Sequence, residues 1–213
     1  MKKRLVLASA SPRRAELLRM IHADFRVCVS NVDETLEEIV TIPNHVMMIA
    51  MRKAEFVAGQ LKSQQESALF ENPTLFEKST QYEDFVLGAD TVVISSEEKI
   101  LGKPKDAAEA FQMLTQLSGK WHEVYTGIAL VDIRGERKQV DFERTSVKFS
   151  DIDEDKIKHY LMTGESFDKA GSYAIQGLGS LLVERIDGCY YNVVGLPINK
   201  LALMLSAWDC YLL

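Results

Sequence analysis

The sequence has few of the residues that hold together extracellular or metal-stabilised folds. Only three cysteines are present, Cys28, Cys189 and Cys210, and they show neither CxxC spacing nor an even number. This pattern excludes a disulfide framework and a structural zinc site as the basis of the fold. We therefore expect buried thiols in a reducing compartment.

Basic charge and long apolar runs are also scarce. The formal net charge is −6, which argues against a protein that coats nucleic acid, because such a surface needs a basic excess to release counterions. No stretch is apolar over the length needed to span a bilayer. These absences predict a cytoplasmic protein with neither nucleic acid nor membrane as a partner. Any phosphate ligand must then be met by a local basic cluster.

The remaining composition is that of an ordinary globular protein. Of the 213 residues, 46% are hydrophobic and 26% are charged, which suits a single core-forming chain. We predict one domain over residues 1–213, with two lobes. Residues 62 to about 84 are mostly polar, and the Asn72-Pro73 pair argues against one continuous element there. This segment is predicted to be a long surface insertion.

Hydrophobic periodicity predicts an α/β fold. Apolar residues recur at three- and four-residue spacing from Pro43 to about Leu61, which indicates an amphipathic helix. Two long strands joined by a turn around Gly135 predict an antiparallel pair. Asp187-Gly188 is typical of a hairpin turn. Further helices are predicted at 12–21, 106–117 and 151–160 and at the end of the chain to about 207, and strands at 5–8, 25–29, 85–94, 99–101, 121–131, 138–149 and 181–184.

The segment from Ser9 to Arg14 links the first strand to the first helix. Ser11 is a suitable N-cap, and Pro12 suits the first helical position. Arg13 and Arg14 oppose the positive end of the helix macrodipole, so their placement predicts a nearby anion. A helix N-terminus with two serine hydroxyls and two guanidinium groups suits a polyphosphate. The alternative is an ordinary capped helix with two solvated arginines.

Two acidic positions are candidates for chemistry. Asp90 lies in a strongly apolar stretch, where a carboxylate is costly to bury unless it is paired or bound to a cation, so we interpret it as functional. Glu34 follows the second strand, where ligand-handling loops gather in open α/β sheets. A solvated acidic turn is the alternative for Glu34.

Two lysines are candidates for contact with a ligand. Lys53 precedes Ala54 of the buried helix stripe, so it can flank that stripe and extend towards a ligand. Lys103 lies between Gly102 and Pro104, where a restricted backbone can aim its side chain. The alternatives are a solvated helix lysine and an exposed turn lysine.

Eight short motifs occur in order along nearly the whole chain, and together they resemble one known family. They are Leu7-Ala8-Ser9-Ala10-Ser11-Pro12-Arg13-Arg14, Val32-Asp33-Glu34, Gly88-Ala89-Asp90-Thr91, Gly102-Lys103-Pro104, Leu117-Ser118-Gly119, Asp168-Lys169-Ala170-Gly171, Gln176-Gly177 and Val194-Gly195-Leu196-Pro197. The set resembles the Maf family of nucleoside triphosphate pyrophosphatases. The main departure is the 62–84 segment, which is longer than the family's usual connection.

The resemblance implies a fold, an activity and a set of site residues. The fold would be an elongated, two-lobed α/β structure with a central mixed β-sheet, similar to the inosine triphosphate pyrophosphatases. The activity would be hydrolysis of a nucleoside triphosphate to the monophosphate and pyrophosphate with Mg²⁺ or another divalent cation such as Mn²⁺, and a homodimer is compatible with it. The implied metal ligands are Glu34 and Asp90, the implied catalytic residues are Asp90, Glu34, Lys53 and Lys103, and the implied substrate contacts are Ser9, Ser11, Arg13, Arg14, Thr91 and Gln176.

Three of these positions differ between the branches of the family that act on different nucleotide bases. Where the 7-methyl-GTP branch of the family tends to have Trp, Gln and Glu, this chain has Arg13, Thr91 and Gln176. A glutamine amide both donates to and accepts from a uracil or thymine edge, so the resemblance favours the branch that acts on dTTP and UTP. A 7-methyl-GTP pyrophosphatase, a phosphohydrolase without base preference and a non-enzymatic regulator of septum formation are the alternatives. The intact catalytic set favours an enzyme over the regulator.

Overall fold

The computed structural model describes residues 2–35, 40–71 and 82–211. The chain divides into two compact units. The first unit comprises residues 1–90, 127–142 and 198–213, and the second comprises residues 91–126 and 143–197. One crossing point between the units therefore falls between Asp90 and Thr91, inside a strand. Within the described ranges, no helix is both long and apolar enough to cross a membrane.

Helices and strands alternate through the first half of the chain. The helices are α1 (Pro12–Met20), α2 (Ile42–Glu71), α3 (Ala107–Leu117), α4 (Glu154–Met162), α5 (Tyr190–Val194) and α6 (Ile198–Ser206). The strands are β1 (Lys2–Leu7), β2 (Phe25–Val27), β3 (Tyr82–Ile94), β4 (Ile100–Leu101), β5 (Trp121–Asp132), β6 (Lys138–Phe149) and β7 (Val183–Asp187). Two 3₁₀ helices cover Ala170–Ser172 and Gly177–Leu182.

Seven strands form one mixed sheet. Their order is β2-β1-β3-β5-β6-β7, and β4 pairs with β3. Strand β1 is parallel to both β2 and β3, with Leu5 opposite Phe25 and Phe85. Strand β3 continues beyond the end of β1, and Asp90 lies in that extension. The β3–β4 and β6–β7 pairs are antiparallel, so the predicted mixed α/β sheet is confirmed.

Each unit has its own hydrophobic core. In the first unit α2 packs against β1, β3 and the end of β5 through small and β-branched residues, namely Val6, Ala8, Ala50, Ala54, Val57, Ala58, Leu61, Val86, Ala129 and Val131. In the second unit larger side chains meet, among them Leu114, Leu117, Val147, Phe149, Ile157, Tyr160, Tyr173 and Leu182. The small residues of the first core bring the backbone of α2 close to the sheet.

Helix α2 is longer than its apolar pattern predicts. It ends at Glu71 rather than near Leu61, so the first part of the predicted 62–84 insertion is helical. Lys, Gln and Glu dominate residues 62–66 and are good helix formers on an exposed face. The hydroxyls of Ser63 and Ser67 also donate to main-chain carbonyls one turn earlier in the helix. Residues 72–81 of the insertion lie outside the described residues, whereas residues 82–84 form the start of β3 and are not a surface loop as predicted.

The strand predicted over 181–184 is present but begins two residues later, and the prediction of a hairpin turn after it is wrong. Leu181 and Leu182 belong to the second 3₁₀ helix, and β7 begins only at Val183. After Gly188 the chain enters α5 instead of a paired strand. Thr145 holds Cys189, the N-cap residue of α5: its hydroxyl accepts a hydrogen bond from the Cys189 N–H (3.0 Å) and lies 3.1 Å from the Cys189 carbonyl oxygen.

Gly88 sets the distance between β3 and α2. A Cβ atom at this position would lie 2.0 Å from the Ala50 carbonyl oxygen and 2.9 Å from the Ala54 nitrogen, and neither main-chain atom can move away cheaply. We expect Gly88→Ala to lower the free energy of unfolding by about 1–3 kcal/mol through overpacking. Urea denaturation measures this change.

The matched control for Gly88 lies in α2 itself. A Cβ at Gly59 would meet nothing within 4 Å, so Gly59→Ala should raise stability by about 1 kcal/mol through helix propensity alone. Equal stability of Gly88→Ala and the wild type would show that the helix shifts without penalty.

His122 is a buried histidine in the core of the second unit. It is 2% exposed, its Nε2 lies 2.7 Å from the Tyr173 hydroxyl, and its ring meets Phe149 edge to face at 5.0 Å. Its Nδ1 has no hydrogen-bond partner within the part of the chain that the structure describes. Burial lowers the pKa of His122 from its ordinary 6.5 to about 4.

The depressed pKa of His122 predicts a loss of stability in acid. Because the unfolded chain binds a proton near pH 6.5 and the folded chain near pH 4, unfolding becomes more favourable as the pH falls through that window. The expected loss is about 3 kcal/mol between the two values, and this contribution is constant above pH 6.5. His122→Gln should flatten the pH dependence of the free energy of unfolding. His159→Gln, at an exposed position of α4, should leave that dependence unchanged. An unchanged slope in His122→Gln would contradict the assignment.

Candidate active site

The site in the first unit centres on Lys53. Its ammonium nitrogen lies 2.8 Å from Asp90 Oδ1 and 2.9 Å from Glu34 Oε1. The side chains of Lys53 and Asp90 are 9% and 10% exposed, whereas that of Glu34 is 61% exposed. One buried cation therefore joins a buried carboxylate to a solvent-facing one.

This pairing explains how an apolar strand accommodates Asp90. A buried carboxylate is strongly destabilising when it is unpaired, and a partner with good geometry offsets that penalty. Lys53 reaches Asp90 because α2 packs closely on β3 at Gly88, two residues earlier in the strand. The sequence predicts that Asp90 needs a partner, and the structure identifies Lys53 as that partner.

A short turn holds Glu34 beside Lys53. Arg52 Nη1 donates to the carbonyl oxygens of Asp33 (2.6 Å) and Thr35 (3.0 Å), on either side of Glu34. The Thr35 hydroxyl and N–H donate to the Asp33 carboxylate at 2.7 and 2.9 Å and lower the pKa of Asp33. The Asp33 carboxylate is therefore hydrogen-bonded within its own turn, and the Glu34 carboxylate is the one that pairs with Lys53.

Arg52 is a residue that the sequence analysis missed. Nothing in its immediate sequence distinguishes it from an ordinary arginine on a helix surface, because its partners are main-chain carbonyls in a distant turn. Its position next to Lys53 is the one available signal.

Arg14 turns inward instead of facing solvent. It is 8% exposed, and its Nη1 donates to Ser9 Oγ (3.0 Å) and to the Ala89 carbonyl (2.9 Å). Burial lowers the pKa of Arg14, while the charge of Asp90 acts in the opposite direction. The alternative of two solvated arginines is therefore wrong for Arg14, which ties the β1–α1 loop to β3 beside Asp90. Arg13 is half-buried.

The two serines of this loop do not form the side-chain cap expected at the start of α1. Ser11 occupies the N-cap position of α1 and Pro12 follows it, but the Ser11 side chain makes no capping hydrogen bond. The buried Ser9 hydroxyl instead accepts from the Ser11 N–H at 3.2 Å. Ser9 thereby fixes the loop through two donors, the Ser11 N–H and the Arg14 guanidinium.

The remaining predicted residues, Thr91, Lys103 and Gln176, belong to the second unit. Lys103 is exposed and follows Gly102, whose carbonyl accepts from the Gly171 N–H at 3.1 Å. Two of the motifs singled out in the sequence, Gly102-Lys103-Pro104 and Asp168–Gly171, thus meet through the backbone. The Thr91 hydroxyl lies 2.9 Å from that of Thr126.

The carboxylates of the first unit fit a divalent cation of the magnesium type. Glu34 and Asp90 both direct a carboxylate oxygen to the Lys53 ammonium group, and carboxylate oxygens are the ligands that hard cations prefer. Within the described residues, no group of three His, Cys, Asp or Glu side chains is placed to hold a metal ion. Mg²⁺ commonly binds through one or two carboxylates and completes its coordination with water and substrate phosphates. Glu34 and Asp90 are sufficient for that mode.

These features define an α/β protein with a carboxylate and ammonium site beside parallel strands. The chain belongs to the Maf-like protein family, whose model matches residues 4–208. This confirms the resemblance that the eight motifs carry.

Relatives in this family match nearly the whole length of the chain. A protein from Clostridium acetobutylicum is 49% identical over 199 residues, covering 93% of this chain and 94% of the relative. One from Caldicellulosiruptor bescii is 45% identical over 204 residues, covering 96% and 94%. Both are named dTTP/UTP pyrophosphatase. A crystal structure of a nucleoside-triphosphatase (dITP/XTP pyrophosphatase) from Mycobacterium abscessus is 15% identical, with a TM-score of 0.40 over 70% of this chain and 75% of that one.

Proposed function

We propose that this protein hydrolyses dTTP and UTP to the nucleoside monophosphate and pyrophosphate. The observation that carries the proposal is the cluster of Asp90, Lys53 and Glu34. The substrates are inferred from relatives named dTTP/UTP pyrophosphatase, which are 42–49% identical over nearly the whole chain. We also propose a cytoplasmic location, which the three free cysteines support, although they are partly exposed and not buried as expected.

Asp90 is the proposed general base. A water molecule held by its carboxylate attacks the α-phosphorus, a bond forms between the water oxygen and that phosphorus, the bond from the α-phosphorus to the bridging oxygen breaks, and pyrophosphate leaves. The proton of the water passes to Asp90. Because Lys53 donates to Oδ1 of Asp90, we assign the attacking water molecule to Oδ2 of the same carboxylate. Lys53 holds the carboxylate in place and balances its charge in the buried site.

Cationic side chains are proposed to bind the triphosphate. In an acidic protein, Arg13 and Lys103 supply local charge for the phosphate oxygens. Ser9 and Arg14 fix the loop that carries Ser11 and leads into the first turn of α1, where Arg13 lies. Arg14 therefore acts on substrate through this loop, since its guanidinium is engaged with Ser9 and Ala89.

Magnesium is the proposed cofactor, with Glu34 and Asp90 as its protein ligands. When bound, the ion neutralises charge on the phosphate oxygens. We expect Glu34→Gln to show its largest defect at low magnesium, because the amide keeps the shape of the side chain and loses the charge. Activity titrated with Mg²⁺, and Mn²⁺ binding followed by electron paramagnetic resonance, measure the change. An identical defect at every metal concentration with unchanged Mn²⁺ affinity would refute the ligand role.

The base is proposed to be read by Gln176 and Thr91, both in the second unit, and Arg13 of the first unit is proposed as a further substrate contact. The Gln176 amide offers both a donor and an acceptor to a ring that presents carbonyls beside one N–H. Gln176→Glu removes the donor, so it should weaken use of pyrimidine triphosphates.

A panel of triphosphates with magnesium tests the proposed function. The wild-type protein should release pyrophosphate, not orthophosphate, and give its highest kcat/KM values with dTTP and UTP. A higher value for 7-methyl-GTP or another purine triphosphate would sink the pyrimidine assignment. Absence of hydrolysis with every triphosphate would favour a binding role such as regulation of septum formation.

A further inference from the structure

The loop that carries Gln176 is held by hydrogen bonds on both sides. Before Gln176, the Ala174 N–H donates to the Tyr160 hydroxyl at 3.2 Å. After it, the Leu178 and Gly179 N–H groups donate to the two carboxylate oxygens of Glu165 at 3.3 and 3.4 Å. All five residues belong to the second unit. The contacts restrain the main chain and leave the Gln176 side chain outside them.

The loop also packs against these two side chains without spare room. Gly177 has a φ of +63°, and a Cβ there would lie 2.8 Å from Glu165 Oε1. A Cβ at Gly179 would lie 2.1 Å from the Ala174 carbonyl oxygen and 2.9 Å from the Tyr160 hydroxyl. The carboxylate and the hydroxyl therefore occupy the space where side chains at 177 and 179 would stand.

Both anchoring residues are held in the second unit, Tyr160 by burial and Glu165 through its main chain. Tyr160 is 5% exposed and lies in α4, which Asp153 caps by accepting from the Lys156 N–H at 2.8 Å. The Lys169 ammonium group donates to the Glu165 carbonyl oxygen. The start of the loop is fixed as well, because buried Tyr173 stacks edge to face on Phe149 at 4.7 Å.

We propose that Glu165 is a positioning residue for base selection, acting through Gln176. Its carboxylate accepts the consecutive N–H groups of the second and third residues after Gln176 and so sets the direction from which the Gln176 amide approaches the base. A carboxylate suits this task because both of its oxygens are acceptors. The inference rests on the proposed function, which makes Gln176 the residue that reads the base.

Glu165→Gln tests the role with little change in shape. The amide has one acceptor oxygen, and its NH₂ group faces the second N–H, so only one of the two hydrogen bonds survives. We expect the ratio of kcat/KM for UTP to that for GTP to fall about tenfold, within the range for a changed pocket contact. This ratio, measured on one preparation, does not depend on the fraction of folded enzyme. A purely structural role would leave it unchanged.

Three further variants complete the experiment. Glu154→Gln removes an exposed carboxylate of α4 that pairs with Lys158 at 3.2 Å, and it should leave the ratio unchanged. Tyr160→Phe removes the acceptor on the other side of the loop and should lower the ratio in the same direction, which keeps the test available if Glu165→Gln does not fold. Combining Glu165→Gln with Gln176→Glu should change the ratio by less than the product of the single effects, because both act on one contact.

The outcomes separate this inference from the proposed function. A wild type that prefers UTP, with an unchanged ratio in Glu165→Gln and Tyr160→Phe, overturns the positioning role and leaves the function standing. Multiplicative effects in the double variant also overturn it, because Glu165 would then act independently of Gln176. A wild type that hydrolyses no pyrimidine triphosphate overturns both.

Discussion

Asp90→Asn should lower kcat at least about a hundredfold while the protein stays folded, because loss of a general base typically has an effect of that size. The amide keeps the shape of the carboxylate and can still accept from Lys53, but it cannot take a proton from water. Steady-state rates of pyrophosphate release with dTTP, together with circular dichroism and urea denaturation, measure both parts of the expectation. Turnover close to that of the wild type would exclude Asp90 as the catalytic carboxylate.

The matched control for Asp90 lies six positions earlier in β3. Asp84 is 2% exposed, and its carboxylate pairs with Arg4 through two bonds of 2.9 Å and with Arg26 at 2.9 Å. Asp84→Asn should therefore lower the free energy of unfolding by about 1–3 kcal/mol, as expected for a weakened charged hydrogen-bond set. Its kcat per folded molecule should remain near that of the wild type. The two variants thus separate loss of a buried charge from loss of chemistry within one strand.

Lys53→Met should reduce both stability and activity. It removes the partner of a buried carboxylate, which costs about 3–5 kcal/mol when nothing replaces the partner. It also removes the ammonium group that joins Asp90 to Glu34, so we expect kcat/KM to fall about a hundredfold, as for other losses of a positioned catalytic group. Urea denaturation and kcat/KM for dTTP are the two measurements.

Two variants control for the Lys53 prediction. Lys53→Arg keeps the positive charge and should recover most of the stability but less of the activity, because a planar guanidinium cannot take the place of a compact ammonium group between two carboxylates. Lys62→Met, an exposed lysine later in α2, should change neither quantity. Full activity in Lys53→Met would place Lys53 outside the catalytic machinery.

The local pattern of apolar and turn residues was sufficient to predict most of the helices and strands. The helix at 107–117 and the strands β3, β5 and β6 follow from periodicity and turn residues, because each carries its apolar signal within its own stretch. The pattern failed at 62–71, where an exposed helix needs no apolar stripe, and at 181–182, where two leucines suit a strand but lie in a 3₁₀ helix. Neither failure moves a predicted site residue.

The site was only partly predictable. The apolar surroundings of Asp90 indicate that it needs a partner, but choosing Lys53 requires knowing how residues far apart in the chain meet. For Arg14 the sequence indicates a direct ligand contact, because the residue lies in the first turn of a helix. The structure instead shows its guanidinium bonded to Ser9 and to the Ala89 carbonyl. Arg52 and Glu165 act on main-chain groups of distant turns, and such contacts leave no pattern in the sequence.

The contact between Gly88 and α2 has a consequence for how the site can vary. Ala50 and Ala54 of α2 meet this glycine through main-chain atoms. The distance between Lys53 and Asp90 is therefore determined by the contact between the main chains of α2 and β3. The hydrophobic side chains of the first core can then be exchanged for others of similar volume without moving the two charges apart. A single methyl group at position 88, by contrast, would press on the backbone of α2 and would separate Lys53 from Asp90 while both side chains remained in the sequence.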